Sequence, residues 1–232
     1  MKLQDSVVLV TGANRGLGLA FAQAALAAGA RKVYAAARDP ASITLPGVVP
    51  IALDVTDASQ IASAVRACGD LTLLINNAGI SRGASLLSSP TAVDDARAEF
   101  ETHFFAPWAL SAAFAPVLAA NGGGAIVNVL SALSWVSFPS VATYSASKSA
   151  AWSLTNGLRN ELRAQGTQVV ALHVGYMDTD MTRGLDAPKS SPADVARVAL
   201  EGVEAGLFEV LADDVSRQIK QSLSSATPAY AA

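Results

Sequence analysis

The chain has 232 residues, 51% of them hydrophobic and 15% charged, with a formal net charge of -3. That length and composition suit one domain with a large core and exclude a disordered chain, while the pI near 5.3 offers no general attraction to nucleic acid or acidic membranes. Cys68, the single cysteine, has no partner for an internal disulfide, as in proteins of a reducing compartment.

The opening MKLQDSVVLVTG has an apolar run too short for a secretory signal, so the expected location is the cytoplasm. Val7 to Val10 reads as a strand covered on both faces. The glycine-rich turn Thr11 to Gly18 follows, then an alanine-rich helix from Leu19 to Ala28 closed by Gly29. Val33 to Ala37 is a second strand, and Val48 to Leu53 a third after the turn Leu45-Pro46-Gly47. Asp57 caps a helix to about Cys68. Leu71 to Ile75 is a fourth strand, ending in Asn76-Asn77-Ala78-Gly79.

A polar stretch leads to a long helix from about Ala92 to Asn121, with Pro107 expected as a kink. Its segment Phe104 to Ala120 is nearly long and apolar enough for a membrane, but Pro107, Ser111, Pro116 and the absence of a flanking basic cluster favour a core or subunit-interface helix. Ala125 to Leu130 is a fifth strand, and a helix from about Thr143 to Gln165 follows. Gln168 to His173 is a sixth strand, Pro192 to Ala205 a helix and Leu207 to Leu211 a last short strand. The alternation predicts a single α/β domain over residues 1–232, doubly wound, with a parallel sheet of about seven strands flanked by helices. Ligands on such sheets bind beyond the carboxyl ends of the strands, where Asn76, Ser131 and the loop after His173 fall.

From Thr102 to Leu158 the only formal charge is Lys148, so most of this length is expected to be buried. A buried ammonium is costly unless paired. Tyr144 lies four residues before it, on the same helix face, and Ser131 can reach both from a strand end. A phenol beside an ammonium is an acid–base device; a packed tyrosine and a lysine reaching for water fit the same residues.

The turn Gly12-x-x-x-Gly16-x-Gly18 lets the backbone approach a diphosphate at a helix N-terminus. At the end of the second strand, where a carboxylate would bind the ribose hydroxyl of NAD, stands Arg38; with Arg15 in the turn, two guanidiniums converging there suit the extra phosphate of NADPH, with NAD(H) the lesser alternative. Asp39 falls one place late for the ribose role.

TGANRGLG (11–18), Asp54-Val55, NNAG (76–79), Ser131, YSASK (144–148) and the segment Gly175 to Thr179, in that order over most of the chain, resemble the short-chain dehydrogenase/reductase family, in its one-domain branch. The resemblance implies a Rossmann-like fold and hydride transfer between a nicotinamide and a carbonyl or alcohol carbon. Tyr144 would be the general acid or base, and Ser131 would hold the substrate oxygen. Lys148 would bind the nicotinamide ribose while lowering the tyrosine pKa; an ammonium about 6 Å away acts on the order of two pK units. Cofactor contacts are implied for Gly12, Asn14, Arg15, Gly16, Leu17, Gly18, Arg38, Asp54, Val55, Asn77, Ala78, Gly79, Tyr144, Lys148, Gly175 and Thr179, and no metal.

Two departures stand out. The family's usual Pro-Gly before the last loop is Val174-Gly175 here, which leaves the stiffness of that loop open. His103 stands where the family places an asparagine whose carbonyl binds a water near the lysine. Either the carbonyl suffices, or the imidazole joins the proton relay and adds a group titrating near neutral pH.

By position, Leu133, Trp135, Phe138, Tyr176, Met177 and Met181 line an apolar pocket, and Asp180 to Ser191 is short for a lid. Small or flat hydrophobic carbonyl or alcohol substrates are expected, with no nucleic-acid or membrane partner. The resemblance implies a homodimer or homotetramer through the two long helices. A cofactor-binding redox sensor or scaffold without turnover, and a biosynthetic isomerase or cyclase on the same fold, remain the alternatives.

Overall fold

β1, Val7–Thr11, is buried at all five positions, as its unbroken apolar pattern requires. In the computed structural model, which describes residues 1–231, it is the third strand of one sheet with β2 (Lys32–Ala37), β3 (Val49–Ala52), β4 (Leu73–Asn76), β5 (Ala125–Val129), β6 (Gln168–His173) and β7 (Glu209–Leu211). The order is β3-β2-β1-β4-β5-β6-β7 and every pairing is parallel. The strand order therefore reverses between β1 and β4, which opens a crevice at their carboxyl ends.

Helices cover both faces. On one, α1 (Gly16–Ala27) and α6 (Pro192–Glu204) bring Leu17, Phe21, Val195 and Leu200 onto Val8, Val10 and Leu172. On the other, α2 (Ala58–Ala67), α4 (Ala106–Ala120) and α5 (Ala142–Leu162) bring Ile61, Leu110, Phe114, Leu118 and Leu158 onto Leu9, Leu74 and Ile126. The doubly wound architecture and the seven parallel strands expected from the sequence are present.

Three local features differ from expectation. α1 starts at Gly16 rather than Leu19, so the glycine turn itself forms the first helical turn and aims its free N–H groups into the crevice. The long helix carries no simple kink at Pro107. Instead α3 (Ala92–Phe100) and α4 are joined by a π-helical stretch, Glu101–Phe105. Pro107 has no N–H to donate to the His103 carbonyl four residues back, and the widened turn absorbs that loss. This 29-residue helix, Ala92–Ala120, has mean hydropathy 1.4 over its most apolar window, but it lays one face on the sheet and carries charges in its first turns.

A seventh helix, α7 (Asp214–Ser222), follows β7 and was not expected. Its N-cap Asp213 accepts from Ser216 N–H at 2.8 Å and, through its other oxygen, from Gly175 N–H at 2.7 Å. The loop that lacks the usual proline is thus tied down by a carboxylate from the end of the chain.

Candidate active site

The glycine turn is held from below by the fourth strand's end. Asn77 N–H and Ala78 N–H donate to Thr11 Oγ1 at 2.9 and 3.0 Å, and Asn77 Nδ2 donates to the Thr11 carbonyl at 2.8 Å. Gly12 and Gly16 adopt φ of +66° and +55°, a region side chains avoid. Gly18 has an ordinary φ but no room: an added Cβ would meet the Gly12 carbonyl oxygen and lie 2.6 Å from Asn77 Nδ2. Gly18→Ala is therefore expected to displace the turn and weaken dinucleotide binding by at least about tenfold, read by fluorescence titration. Unchanged binding would show that the turn does not cradle the ligand.

The chemistry of this turn fits a dinucleotide. Leu17 is buried behind it, Asn14 lies half-open at its rim, and α1 has no acidic residue in its first turn to repel a phosphate. Thr179 closes the cleft from the opposite side, its Cγ2 lying 3.4 Å from where a Gly16 Cβ would be. Val55 is buried beside Asp54, whose carboxylate accepts from Thr56 N–H and Oγ at 3.0 and 2.8 Å.

Arg38 is exposed at the end of β2. The expected convergence of Arg15 on it is not formed: Arg15 pairs with Asp180 at 2.9 Å, across the cleft. Both partners are largely exposed, so the pair is weak and readily exchanged for a phosphate. Asp39 turns back to accept from Ala41 N–H at 3.0 Å and leaves the ribose position to Arg38.

Ser131 leaves β5 at its carboxyl end, buried, with Oγ accepting from Leu133 N–H at 3.1 Å. Tyr144 and Lys148 stand one turn apart near the start of α5, Lys148 Nζ lying 5.6 Å from the Tyr144 ring centre. The ammonium is buried and donates to the Val129 carbonyl at 2.9 Å. Serine, tyrosine and lysine thus meet beyond β5, beside the glycine turn.

The expected electrostatics need correction. Burial pushes the Tyr144 phenol above its usual range, with the Ser131 hydroxyl the group that opposes the shift. Burial also pushes Lys148 down to about 8, opposed by the charge of Glu99. Desolvation dominates both shifts, so without a cationic cofactor ring nearby the phenol stays protonated.

Of the two readings of His103, the side-chain relay finds no support in its contacts. The ring is buried, with Nε2 accepting from Ile80 N–H at 3.1 Å, so Nδ1 carries the proton and donates to Ser147 Oγ at 2.8 Å. Ser147 in turn donates to the Tyr144 carbonyl at 2.7 Å, and the imidazole stands edge-on to the Tyr144 ring at 5.2 Å. Both nitrogens are committed. Burial and the nearby Lys148 charge push its pKa well below the ordinary range, so no near-neutral titration follows from it. Its side chain braces the turn of α5 that carries the tyrosine and packs 3.3 Å from the Cβ position of Gly79.

A cavity of about 10 Å³, the size of one water, touches Asn76, His103, Pro107 and Lys148. Asn76 donates to Asn128 Oδ1 at 2.8 Å, while its own buried Oδ1 has no partner. The cavity is placed to satisfy it.

Of the expected pocket residues, Phe138, Tyr176 and Met181 are exposed around the cleft mouth and Leu133 is half-buried. Met177 packs partly on the core. Trp135 does not line a pocket: it is buried, stacked on His173 at 3.9 Å. An indole that large finds more apolar contact between helix and sheet than at an open rim.

Three side chains beside the candidate site escaped the sequence reading. Glu99 is buried on α3, accepts from Arg82 N–H at 2.8 Å and supplies the negative charge near Lys148; it lies just outside the uncharged stretch, which hid it. Asp213 holds Gly175. His173, the only other histidine, touches Ser131; a histidine ending an apolar strand was its only signal.

A phenol, an ammonium and a hydroxyl lie beside the glycine turn at the switch point of a parallel sheet, in a fold of the Rossmann-like class. Residues 6–190 match the family model for short chain dehydrogenases, and the chain belongs to that family of oxidoreductases. It is 32% identical over 229 residues to the 1-deoxy-11-beta-hydroxypentalenate dehydrogenase of Streptomyces exfoliatus, covering 92% of this chain and 82% of that one. Dehydrogenase/reductase SDR family member 7B of Xenopus tropicalis is 32% identical over 198 residues; the match covers 78% of this chain but 63% of the relative's length. The crystal structure of a short chain dehydrogenase from Burkholderia cenocepacia in complex with NADP superposes with a TM-score of 0.93 at 40% identity, covering 97% of this chain and 95% of that one.

Proposed function

We propose that the chain is an NADP(H)-dependent carbonyl reductase or alcohol dehydrogenase acting on small or flat hydrophobic compounds. The observation that carries this reading is the meeting of Ser131, Tyr144 and Lys148 beyond β5, on the same side of the sheet as the glycine turn. Bound nicotinamide cofactor would supply or take the hydride. Ser131 Oγ holds the substrate oxygen, and Tyr144 gives it a proton during reduction. Burial keeps the phenol protonated, and positive charge developing on the cofactor ring would lower its pKa toward the working range as the proton leaves. Lys148 keeps a positive charge beside the phenol, and the small cavity between it and His103 has room for one water beside the ammonium.

NADP(H) rather than NAD(H) is favoured by Arg38 at the end of β2, by the turning away of Asp39 and by the NADP complex of the 40% identical Burkholderia protein. Arg38→Asp is expected to raise the KM for NADPH about ten- to a hundredfold, the worth of one charge-assisted contact, with little change for NADH. The exposed Phe138, Tyr176 and Met181 around the cleft supply the apolar lining for substrate. Phe105 and Trp108, exposed on the outer side of α4 and its approach, are the apolar surface a second subunit would cover, in a dimer or tetramer built on this helix and α5.

The deciding experiment follows NADPH absorbance with a panel of aromatic and aliphatic ketones and aldehydes. Substrate-dependent oxidation of NADPH, at rates well above those with NADH, is the expected result. NADPH binding without turnover of any member would favour a sensor or scaffold, and turnover of a substrate without net NADPH consumption an isomerase.

A further inference from the structure

His173 is the last residue of β6, fully buried, with no place in the chemistry described above. Its Nδ1 lies 3.1 Å from the Ser131 carbonyl oxygen. A carbonyl can only accept, so the proton is on Nδ1 and the imidazole donates. The same junction carries the backbone bonds Leu130 N–H to the Leu172 carbonyl at 2.8 Å and Ala132 N–H to the Val174 carbonyl at 3.0 Å. The peptide of Ser131 is thus gripped on both sides by β6, and the histidine fills the gap between those two bonds.

The ring itself is tightly held. Trp135, which ends the short turn Ala132–Ser134 directly after Ser131, stacks on it with planes 17° apart. Lys220 of α7 stands 4.9 Å from the Trp135 ring and 5.5 Å from that of Trp152, and its ammonium binds both carboxylate oxygens of Glu209 at 3.0 Å. Glu209 Oε1 lies 3.6 Å from His173 Nε2, which has no hydrogen-bond partner. The charges facing the imidazole are Glu209 from β7, Lys220 from α7, and Lys148 and Arg159 from α5. Burial, with the three cations on the same side of the balance, pushes its pKa down to about 4, so the ring is neutral at working pH and its one proton stays with Ser131.

We propose that His173 is a positioning residue for Ser131: its Nδ1–H fixes the Ser131 peptide, and the Trp135 stack, backed by Lys220, fixes the imidazole, so that the serine hydroxyl stays aimed at a substrate oxygen. The serine's rotamer depends on its own backbone, and that backbone lies two residues past the last paired residue of β5, held by the two flanking backbone bonds and the imidazole. α7, which contributes no atom to the cleft chemistry, thereby reaches the reacting centre through Lys220, Trp135 and His173. The inference rests on the reading of Ser131 as the anchor of the substrate oxygen.

The test is a double-mutant cycle. Using the ketone of the panel with the highest turnover, kcat is measured for His173→Leu and His173→Asn, each with Ser131 intact and with Ser131→Ala. Asparagine can place an amide N–H where Nδ1 stands; leucine cannot. The expected result is a fall in kcat of about tenfold for His173→Leu, the worth of roughly one hydrogen bond, with the dissociation constant of NADPH unchanged. His173→Asn restores most of that loss. In the Ser131→Ala background His173→Leu has no further effect on kcat. Losses that multiply in the two backgrounds, or an asparagine no better than leucine, would overturn the inference while leaving the reading of the site intact. A Ser131→Ala enzyme as fast as the unaltered one would overturn both. Should His173→Leu fail to fold, Lys220→Met removes the outermost support from a partly exposed position: a kcat loss seen only with Ser131 present supports the proposal, and no loss in either background opposes it.

Discussion

Tyr144→Phe is expected to lower kcat for ketone reduction by about 10²- to 10⁴-fold, the range that a positioned general acid contributes, while NADPH binds as before. The substitution removes one oxygen and keeps the ring, which packs edge-on to His103. The loss should therefore appear in kcat rather than in thermal stability. A pH profile adds a sharper check. Reduction needs the phenol protonated and the ammonium beside it charged, so the rate of the free enzyme with limiting substrate should fall as pH rises past about 8, where buried Lys148 loses its proton. No inflection near neutrality should appear, because His103 is held neutral throughout. A variant that keeps more than a tenth of the rate would remove Tyr144 from the chemistry.

Lys148→Met should abolish turnover to a similar extent, and its stability should vary with pH in an informative way. Burial depresses the lysine pKa to about 8 in the folded protein, against an unfolded value near 10.4. The folded state therefore disfavours the bound proton. That cost is fully present below pH 8 and disappears as the pH climbs to the unfolded value, so the unaltered protein gains stability over this interval. Methionine has no proton to lose. Relative to the variant, the unaltered protein should thus gain about 3 kcal/mol between pH 8 and pH 10.4, as the pKa difference dictates. The comparison cancels effects common to both proteins, including those of the other titrating groups. It also separates the proton cost from the loss of the Val129 hydrogen bond, which does not depend on pH in the variant. Parallel stability curves across that interval would mean the ammonium is not buried at all.

These two residues show how the proposed acid–base pair was legible before any fold. Tyr144 and Lys148 are four apart, and helical geometry alone puts them on one face, 5.6 Å from ring centre to ammonium. The glycine turn sits after an apolar strand, and its missing side chains report the close approach of Asn77 and the Gly12 carbonyl. The unbroken apolar strands announced a sheet covered on both sides, and that sheet has its expected seven parallel members. α7 was not legible because its nine residues, DVSRQIKQS, carry only two apolar side chains and make too short a pattern for a periodicity argument.

The seven strands, most of the helices, the glycine turn and the spacing of serine, tyrosine and lysine were determined by the sequence itself, because they depend on neighbours within a helical turn or a strand. Which charges face which groups was decided only by the tertiary structure. Arg15 joins Asp180 instead of Arg38, Glu99 supplies the charge near Lys148, and Trp135 leaves the cleft to stack on His173. Those partners lie far apart along the chain, and desolvation depends on everything that packs around a group. Burial therefore reverses the tyrosine shift expected from the lysine alone, an outcome that no local spacing encodes.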